Sequence, residues 1–266
     1  MDLQIKGKKA LVTGSTLGIG FATASALAAE GAIVYINGRK QETVDQAVAK
    51  IKTAHSGADV HGIALDLGSA DGVAKLVAQL DAVDILVNNL GIFEPKEFEA
   101  ITDEDWLRFF EVNVMSGVRL SRAYLKGMKQ KNWGRIIFVS SESGLQIPAE
   151  MVHYGMTKTA QISIARGIAE SVAGTGITVN SVLPGPTGSE GVADFIDKMN
   201  VPGKATKSQA EFEREFIEMA RPSSLIKRLA KPEEVANLIA YLCSPLASAT
   251  TGASVRVDGG VVRSIG

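Results

Sequence analysis

The sequence predicts an α/β protein with one parallel sheet covered by helices on both faces. Short runs rich in β-branched residues alternate with longer helical patterns along all 266 residues. Several of the short runs are apolar almost throughout, which is typical of strands buried on both faces. No linker or low-complexity segment divides the chain, so we expect a single domain over residues 1–266. Alternation of this kind favours parallel strands joined by right-handed crossovers.

The predicted strands and helices follow one another in a regular order. The strands read KALVTG, AIVYING, VHGIALD, DILVNNLG, GRIIFVSS, GITVNSVLP and ASVRVDGG. The helical patterns cover residues 18–30, 41–55, 70–80, 103–128, 152–173 and 232–242. Residues 186–230 break this order, because they insert helical, charged material between the sixth and seventh strands. The insertion follows the carboxyl end of a strand, where α/β folds bind ligands, so we expect a helical substrate lid rather than a surface excursion.

Composition and charge argue against several classes of partner. A formal net charge of −1 gives no electrostatic reason to expect nucleic acid or an anionic membrane surface. There is no apolar run near the roughly 18 residues of a membrane span and no signal-like start, and the lone Cys243 suits a reducing compartment. We therefore expect a cytoplasmic protein. The histidines form no metal-ligand spacing with Cys243, so we expect no metal site.

A glycine-rich turn, TGSTLGIG, follows the first predicted strand and opens a helix. Its residues Gly14, Gly18 and Gly20 let the backbone turn sharply and approach a ligand. The start of the helix offers free N–H groups and a partial positive charge, which suit a pyrophosphate. The spacing is G-x-x-x-G-x-G rather than G-x-G-x-x-G, and no Lys-Ser/Thr pair makes it a P-loop. Tight packing of strand against helix is the alternative, but the position of the turn favours a dinucleotide.

The second predicted strand ends in INGRK, where dinucleotide folds select their cofactor. NAD-binding folds usually carry a carboxylate near this place for the ribose 2′-hydroxyl, whereas an arginine accommodates a 2′-phosphate. Asn37 and Gly38 supply no carboxylate, while Arg39 and Lys40 supply cations. A guanidinium fits phosphate in both charge and geometry. NADP(H) is therefore favoured, and NAD(H) remains possible if Arg39 is only a solvated loop charge.

The stretch YGMTK places Tyr154 and Lys158 four positions apart, on one face of a predicted helix. Taken alone, the pair is explained by a tyrosine at the core boundary and a lysine at its solvated rim. Together with TGSTLGIG, NNLG, SSESG and VLPGPT, however, it resembles the ordered motif series of the short-chain dehydrogenase/reductase family. The resemblance extends down to VDGG near the carboxyl end. It implies a single Rossmann-type, doubly wound domain with about seven parallel strands.

The resemblance implies four catalytic residues, Asn113, Ser141, Tyr154 and Lys158. Lys158 should lower the pKa of the Tyr154 hydroxyl, which makes it a usable proton donor or acceptor. Ser141 should hydrogen-bond the substrate oxygen, and Asn113 should hold a water that links Lys158 to solvent. Ser141 could instead cap a turn, and Asn113 could be a helix-interior residue bonded to backbone. No role is assigned to His153.

The family pattern also implies a set of cofactor contacts. Asn89 and Gly91 match the turn beside the nucleotide, with Leu90 in place of the usual alanine. The neighbourhood of Asp66 receives the adenine, and Pro184 and Gly185 flank the nicotinamide. The full expected set is Gly14, Ser15, Thr16, Gly18, Ile19, Gly20, Arg39, Asp66, Leu67, Asn89, Gly91, Tyr154, Lys158, Pro184, Gly185, Thr187 and Ser189.

Three functions compete at this point. The first is an NAD(P)-dependent oxidoreductase that acts on a carbonyl compound or secondary alcohol. The second is a dinucleotide sensor of the same fold, which would not need the proton donor Tyr154. The third, a serine hydrolase, is disfavoured because no G-x-S-x-G turn is present.

Many relatives are 3-oxoacyl-carrier-protein reductases. Those that dock an acidic carrier use arginines beside the active-site mouth, where this chain has Asn132 and Thr175. We therefore expect a free small molecule as substrate, in a partly apolar pocket. Phe93, Ile147, Met151 and Val192 should line it, while Glu142 and Glu150 could face water. The resemblance also implies a homo-oligomer, a tetramer or a dimer.

Overall fold

The computed structural model describes residues 2–188 and 209–265, and a seven-stranded parallel sheet forms their centre. The strand order is β3-β2-β1-β4-β5-β6-β7. The strands are β1 (Lys9–Val12), β2 (Ile33–Gly38), β3 (Val60–Ala64), β4 (Ile85–Asn88), β5 (Gly134–Val139), β6 (Ile177–Pro184) and β7 (Ser254–Val257). The predicted fold class and strand number are confirmed.

Helices cover both faces of the sheet. They are α1 (Gly18–Ala29), α2 (Gln41–Ala54), α3 (Ala70–Gln79), α4 (Asp103–Phe110), α5 (Ser116–Lys131), α6 (Val152–Ser171), α7 (Gln209–Ala220) and α8 (Pro232–Leu242). Alternate residues of a strand point to opposite faces. Val12 therefore packs in a core cluster with Leu27 of α1 and Ile239 of α8, whereas its neighbour Leu11 packs with Leu120 of α5.

The parallel register brings the carboxyl ends of the central strands to one edge. Val12 pairs with Val87, and Val87 pairs with Ile137, so the ends of β1, β4 and β5 lie side by side. The residues that follow each strand, among them Thr13 and Ser140, are gathered at this edge. A ligand site is expected there in an open α/β sheet.

The predicted long helix over residues 103–128 is interrupted. A single π-helical turn, Glu111–Met115, separates α4 from α5 and contains Asn113. Such turns insert an extra residue and occur frequently at functional sites. Nothing in the hydrophobic pattern indicates this break.

The predicted lid is described only at its two ends. Thr187 pairs with Ala230 through an isolated parallel bridge, and α7 lies between them in the chain. Residues 189–208 lie outside the described residues, so the lid stays a prediction. No helix in the described ranges is long and apolar enough to cross a membrane, and no cluster there could hold a metal ion. The cytoplasmic location and the homo-oligomer also stay predictions.

Two glycines of α5 provide a matched test of how closely this helix packs on the sheet. A Cβ at Gly117 would lie 2.7 Å from the buried Phe138 ring, whereas a Cβ at Gly127 would meet nothing within 4 Å. Gly117→Ala should lower the free energy of unfolding by about 1–3 kcal/mol through overpacking. Gly127→Ala should raise it by about 0.5–1 kcal/mol, because alanine favours a helix. Urea denaturation measures both, and shifts of the same sign would contradict this packing.

Candidate active site

A cavity of about 560 Å³ opens at the carboxyl edge of the sheet. Twelve of the expected site residues line it: Gly18, Ile19, Gly20, Arg39, Asn89, Gly91, Ser141, Tyr154, Lys158, Pro184, Gly185 and Thr187. Phe93 and Met151, expected to face the substrate, line it as well. The described part of residues 186–230 contributes Phe216, Ala220 and Arg221. The cavity therefore reaches from the glycine-rich turn to α7.

The glycine-rich turn needs glycine for its backbone conformation and its tight packing, and the helix start that follows it can bind an anion. Gly14 and Gly18 have φ angles of 59° and 57°, in the region that favours glycine. A Cβ at Gly20 would lie 2.5 Å from both the Asn89 amide and the Gly14 carbonyl oxygen. The first turn of α1 has no side-chain cap and no acidic residue, so its N–H groups can bind an anion. These residues fit the pyrophosphate of a dinucleotide.

Asn37 holds the end of β2 in place rather than facing a ligand. Its side-chain oxygen accepts a hydrogen bond from the Gly14 N–H (3.2 Å), and its amide donates to the Leu65 carbonyl (3.0 Å). Arg39, two positions further along the chain, is exposed and lines the cavity, so it can bind a ligand. No carboxylate of the described residues forms an ion pair with it. A cation therefore stands where NAD-binding folds carry an acid.

Lys158 is buried, and its ammonium group is held by the protein. It donates hydrogen bonds to the Val139 carbonyl oxygen (2.9 Å) and to the Gln161 side-chain oxygen (3.2 Å). Its nitrogen lies 5.5 Å from the centre of the Tyr154 ring, as expected for residues one helical turn apart in α6. Burial lowers the pKa of Lys158 to about 8, and the negative charge of Glu142 acts in the opposite direction.

The pKa of the Tyr154 hydroxyl is raised overall in this structure, so the expected net lowering beside Lys158 is not found. Burial, and then the negative charge of Glu142, raise the pKa of the Tyr154 hydroxyl. The interaction with the Ser141 side chain and the charge of Arg221 act in the opposite direction but do not outweigh these effects. The tyrosine is therefore a neutral hydroxyl, which can donate a proton.

The side chain of Asn113 is hydrogen-bonded to protein groups, in keeping with the alternative of a helix-interior residue bonded to backbone. Its side chain clamps Ile92, accepting from the Ile92 N–H (2.7 Å) and donating to the Ile92 carbonyl (2.9 Å). Its own backbone carbonyl accepts a hydrogen bond from the Gln161 amide (2.6 Å). Gln161 thus bridges Lys158 and Asn113, and the expected water that links Lys158 to solvent stays a prediction. The π-helical turn gives Asn113 the orientation that makes both contacts possible.

Ser141 is joined to a charged pair that the sequence did not reveal. Its hydroxyl donates a short hydrogen bond to the Glu142 carboxylate and accepts one from the Ser143 N–H (3.1 Å). The same carboxylate accepts a hydrogen bond from Arg221 Nε at 2.8 Å. Glu142 is 3% exposed, so the suggestion that it faces water is wrong. The available signal was a carboxylate directly after the candidate serine, at a strand's carboxyl end.

The other expected residues do not line the cavity. These are Gly14, Ser15, Thr16, Asp66, Leu67 and Asn113. Ser15 is buried and its hydroxyl connects β1 to β2, while the Leu67 side chain packs in the core. Asp66 is exposed and accepts a hydrogen bond from the Gly68 N–H. Ser189 and Val192 lie outside the described residues, and Ile147 lines a neighbouring cavity instead.

Known proteins resemble this chain over its whole length. The adh_short_C2 family model, described as enoyl-(acyl carrier protein) reductase, matches residues 14–262. The chain is 51% identical to YvaG of Bacillus subtilis, an uncharacterized oxidoreductase, and covers 100% of both chains. It is 34% identical to the 3-oxoacyl-[acyl-carrier-protein] reductase FabG of Aquifex aeolicus, covering 98% of this chain and 100% of FabG. The L-sorbose reductase of Gluconobacter frateurii, solved with NADPH and L-sorbose, is 30% identical with a TM-score of 0.91 and 100% coverage of both chains.

His153, next to Tyr154, is buried among aromatic rings. Its ring centre lies 4.0 Å from that of Phe109 and 6.1 Å from that of Trp106. Neither ring nitrogen has a hydrogen-bond partner within the described part of the chain. Burial lowers the pKa of His153, which the charges of Asp105 and Glu94 only partly oppose. The folded protein therefore holds this histidine neutral.

This burial predicts an acid-sensitive stability. The pKa of His153 in the folded protein lies below the unfolded value of about 6.5. The contribution of neutral His153 to the free energy of unfolding is therefore fully present above pH 6.5 and is lost as the pH falls, because protons then bind the unfolded chain. His153→Phe should reduce the fall in the free energy of unfolding between pH 7 and 5. The slope that one titrating group can cause is at most about 1.4 kcal/mol per pH unit. Urea denaturation at several pH values measures the slope. The exposed-site control His61→Phe should not flatten it; an unchanged slope in His153→Phe would contradict the prediction.

Proposed function

The chain belongs to the short-chain dehydrogenase/reductase family of oxidoreductases, and on that premise we propose a nicotinamide-dependent carbonyl reductase or alcohol dehydrogenase. The observation that carries this proposal is one cavity that joins an uncapped helix start to Ser141, Tyr154 and Lys158. The first feature suits the cofactor's phosphates, and the second set suits proton transfer at a substrate oxygen. When bound, the nicotinamide accepts or supplies the hydride.

We assign the proton to Tyr154. In reduction a hydride adds to the carbonyl carbon, the carbonyl π pair moves to oxygen, and the Tyr154 hydroxyl donates a proton to that oxygen. The products are the alcohol, the oxidised cofactor and a phenolate, which regains its proton from solvent. A neutral hydroxyl is the form that can donate, in keeping with the raised pKa of Tyr154. The nearby Lys158 ammonium stabilises the phenolate once it forms.

Ser141 has the complementary role of holding the substrate oxygen. It lies in the turn after β5, at the carboxyl edge of the sheet, and is one of the residues that line the cavity. To donate to the substrate it must turn from Glu142, which accepts its hydrogen bond in this structure. Polarising the carbonyl in this way makes its carbon a better hydride acceptor.

NADPH is the favoured cofactor. The support is Arg39 at the cavity, with no carboxylate at the end of β2 and with Asn37 occupied by backbone. The L-sorbose reductase that shares this fold was solved with NADPH, which is in keeping with the same preference.

A free small molecule is a better substrate candidate than an acyl carrier protein, despite the FabG relatives. The argument from Asn132 and Thr175 fails for a single chain, because both precede strands and so lie at the amino edge of the sheet, opposite the cavity. A different observation now supports the choice. Glu150 lines the cavity and is partly exposed, while Glu142 is paired with Arg221, so an acidic carrier would meet the excess negative charge of Glu150 there.

Removing the Tyr154 hydroxyl tests whether the protein is an enzyme or a dinucleotide sensor. Tyr154→Phe should lower kcat by about 10²–10⁴, the usual contribution of a general acid, while the dissociation constant for NADPH stays nearly unchanged. The loss of NADPH absorbance with a panel of ketones and aldehydes measures kcat. Fluorescence titration measures the dissociation constant for NADPH. Tyr241→Phe, on α8 outside the cavity, is the control. Wild-type protein that binds NADPH but reduces no carbonyl would point to the sensor.

The Arg39 guanidinium should decide between the two cofactors. Arg39→Ala should raise KM for NADPH about tenfold or more, because a hydrogen-bonded charge pair is lost, and should change KM for NADH little. Steady-state kinetics with each cofactor test this, with the exposed Arg122→Ala as control. Equal changes for NADPH and NADH would remove Arg39 from cofactor selection.

A further inference from the structure

Three charged side chains meet at the end of the cavity away from the glycine-rich turn. Glu142 follows Ser141, Glu150 lies in the short turn before α6, and Arg221 follows α7. Arg221 Nε donates to Glu142 at 2.8 Å, and Arg221 Nη1 donates to the Ala220 carbonyl at 2.7 Å. Arg221 Nη1 lies 3.6 Å from a Glu150 oxygen, beyond the length of a hydrogen bond. The three side chains come from different segments and converge beside the reacting groups.

Two of these side chains stand between two cavities. A second cavity of about 370 Å³ is lined by Gln146, Ile147, Pro148, Glu150, Met219, Ala220 and Arg221. It shares Glu150, Ala220 and Arg221 with the larger cavity. The surroundings are otherwise largely apolar, with Phe216 and Met151 on one side and Ile147 and Met219 on the other. Glu150 and Arg221 thus form a wall between the two cavities. A substrate whose carbonyl reaches Tyr154 would extend towards this wall.

The charges of the wall favour one chemical class of substrate. Glu142 is compensated by Arg221, so Glu150 leaves the group of three with an excess negative charge. An anionic substrate would be repelled by it at short range. A purely apolar substrate would displace water from Glu150 and Arg221 without replacing the lost hydrogen bonds, which is unfavourable. A hydroxyl can donate to the carboxylate and accept from the guanidinium.

We infer that Glu150 and Arg221 are specificity-determining residues that select a neutral carbonyl compound carrying hydroxyl groups next to the reacting carbon. Glu142 is a positioning residue in this arrangement, because it fixes the Arg221 guanidinium from the catalytic turn. The inference rests on the function proposed above and narrows it to hydroxyketones and the corresponding polyols.

Three four-carbon ketones provide a direct test. L-Erythrulose carries hydroxyls on the carbons beside its carbonyl, butanone carries none, and acetoacetate carries a carboxylate. With NADPH, kcat/KM for L-erythrulose should exceed that for butanone by about tenfold or more, the effect of about one additional hydrogen bond. Acetoacetate should be the poorest of the three.

Two variants should redistribute these preferences. Glu150→Gln keeps an acceptor but removes the charge, so the acetoacetate to L-erythrulose ratio of kcat/KM should rise about tenfold. Its side chain is 41% exposed, so the fold should tolerate the change. Arg221→Lys keeps a charge for Glu142 but loses the forked donors, so it should lower kcat/KM for L-erythrulose more than for butanone. The exposed Glu233→Gln on α8 is the matched control and should leave all ratios unchanged.

The outcomes keep this inference separate from the proposed function. Equal or better reduction of butanone would overturn the inference and leave the reductase intact. Turnover of none of the three ketones would also overturn it, because hydroxyls beside a carbonyl are all that the wall requires. Failure of the broader carbonyl panel with bound NADPH would instead defeat the proposed function. An unchanged NADPH dissociation constant shows that each variant is folded.

Discussion

The buried ammonium of Lys158 is the constraint on which the arrangement of the candidate site depends. A charge in such a place needs hydrogen-bond acceptors, and it finds them in the Val139 carbonyl at the end of β5 and in Gln161. These bonds fix α6 against the carboxyl edge of the sheet. Tyr154, one turn earlier in α6, is thereby placed at the cavity. Gln161 also donates a hydrogen bond to the Asn113 carbonyl and so fixes the π-helical turn relative to α6. The chain thus uses one charge to orient several polar groups.

The same burial explains why the tyrosine and the lysine shift in opposite directions. Removing both groups from water disfavours the phenolate and the ammonium alike, which raises the pKa of Tyr154 and lowers that of Lys158. Glu142 then favours the positive lysine and disfavours a negative tyrosine. A simple pairing of Tyr154 with Lys158, which the sequence suggests, omits this third charge. The consequence is a site poised with a protonated hydroxyl beside a cation.

The sequence predicts the sheet and the glycine-rich turn well because both depend on local patterns. Apolar strands alternate with helices, Gly14 and Gly18 adopt the positive φ that favours glycine, and Gly20 has no room for a Cβ. The π-helical turn escapes prediction because its cause is tertiary: Asn113 must face Ile92 and Gln161. The Glu142–Arg221 pair escapes for a similar reason, since 79 residues separate its members. Periodicity carries no information about contacts over such a distance.

The Glu142–Arg221 pair connects the end of α7 with the turn that carries Ser141. A buried ion pair is poor support for stability, because the loss of hydration can equal the attraction. Its effect is better understood as geometric. Arg221 fixes the Glu142 carboxylate that holds the Ser141 hydroxyl, and Glu142 in turn fixes the guanidinium at the wall of the cavity. Selection of the substrate and orientation of its reacting oxygen therefore depend on the same pair. A substitution of either residue should affect both substrate selection and the orientation of Ser141.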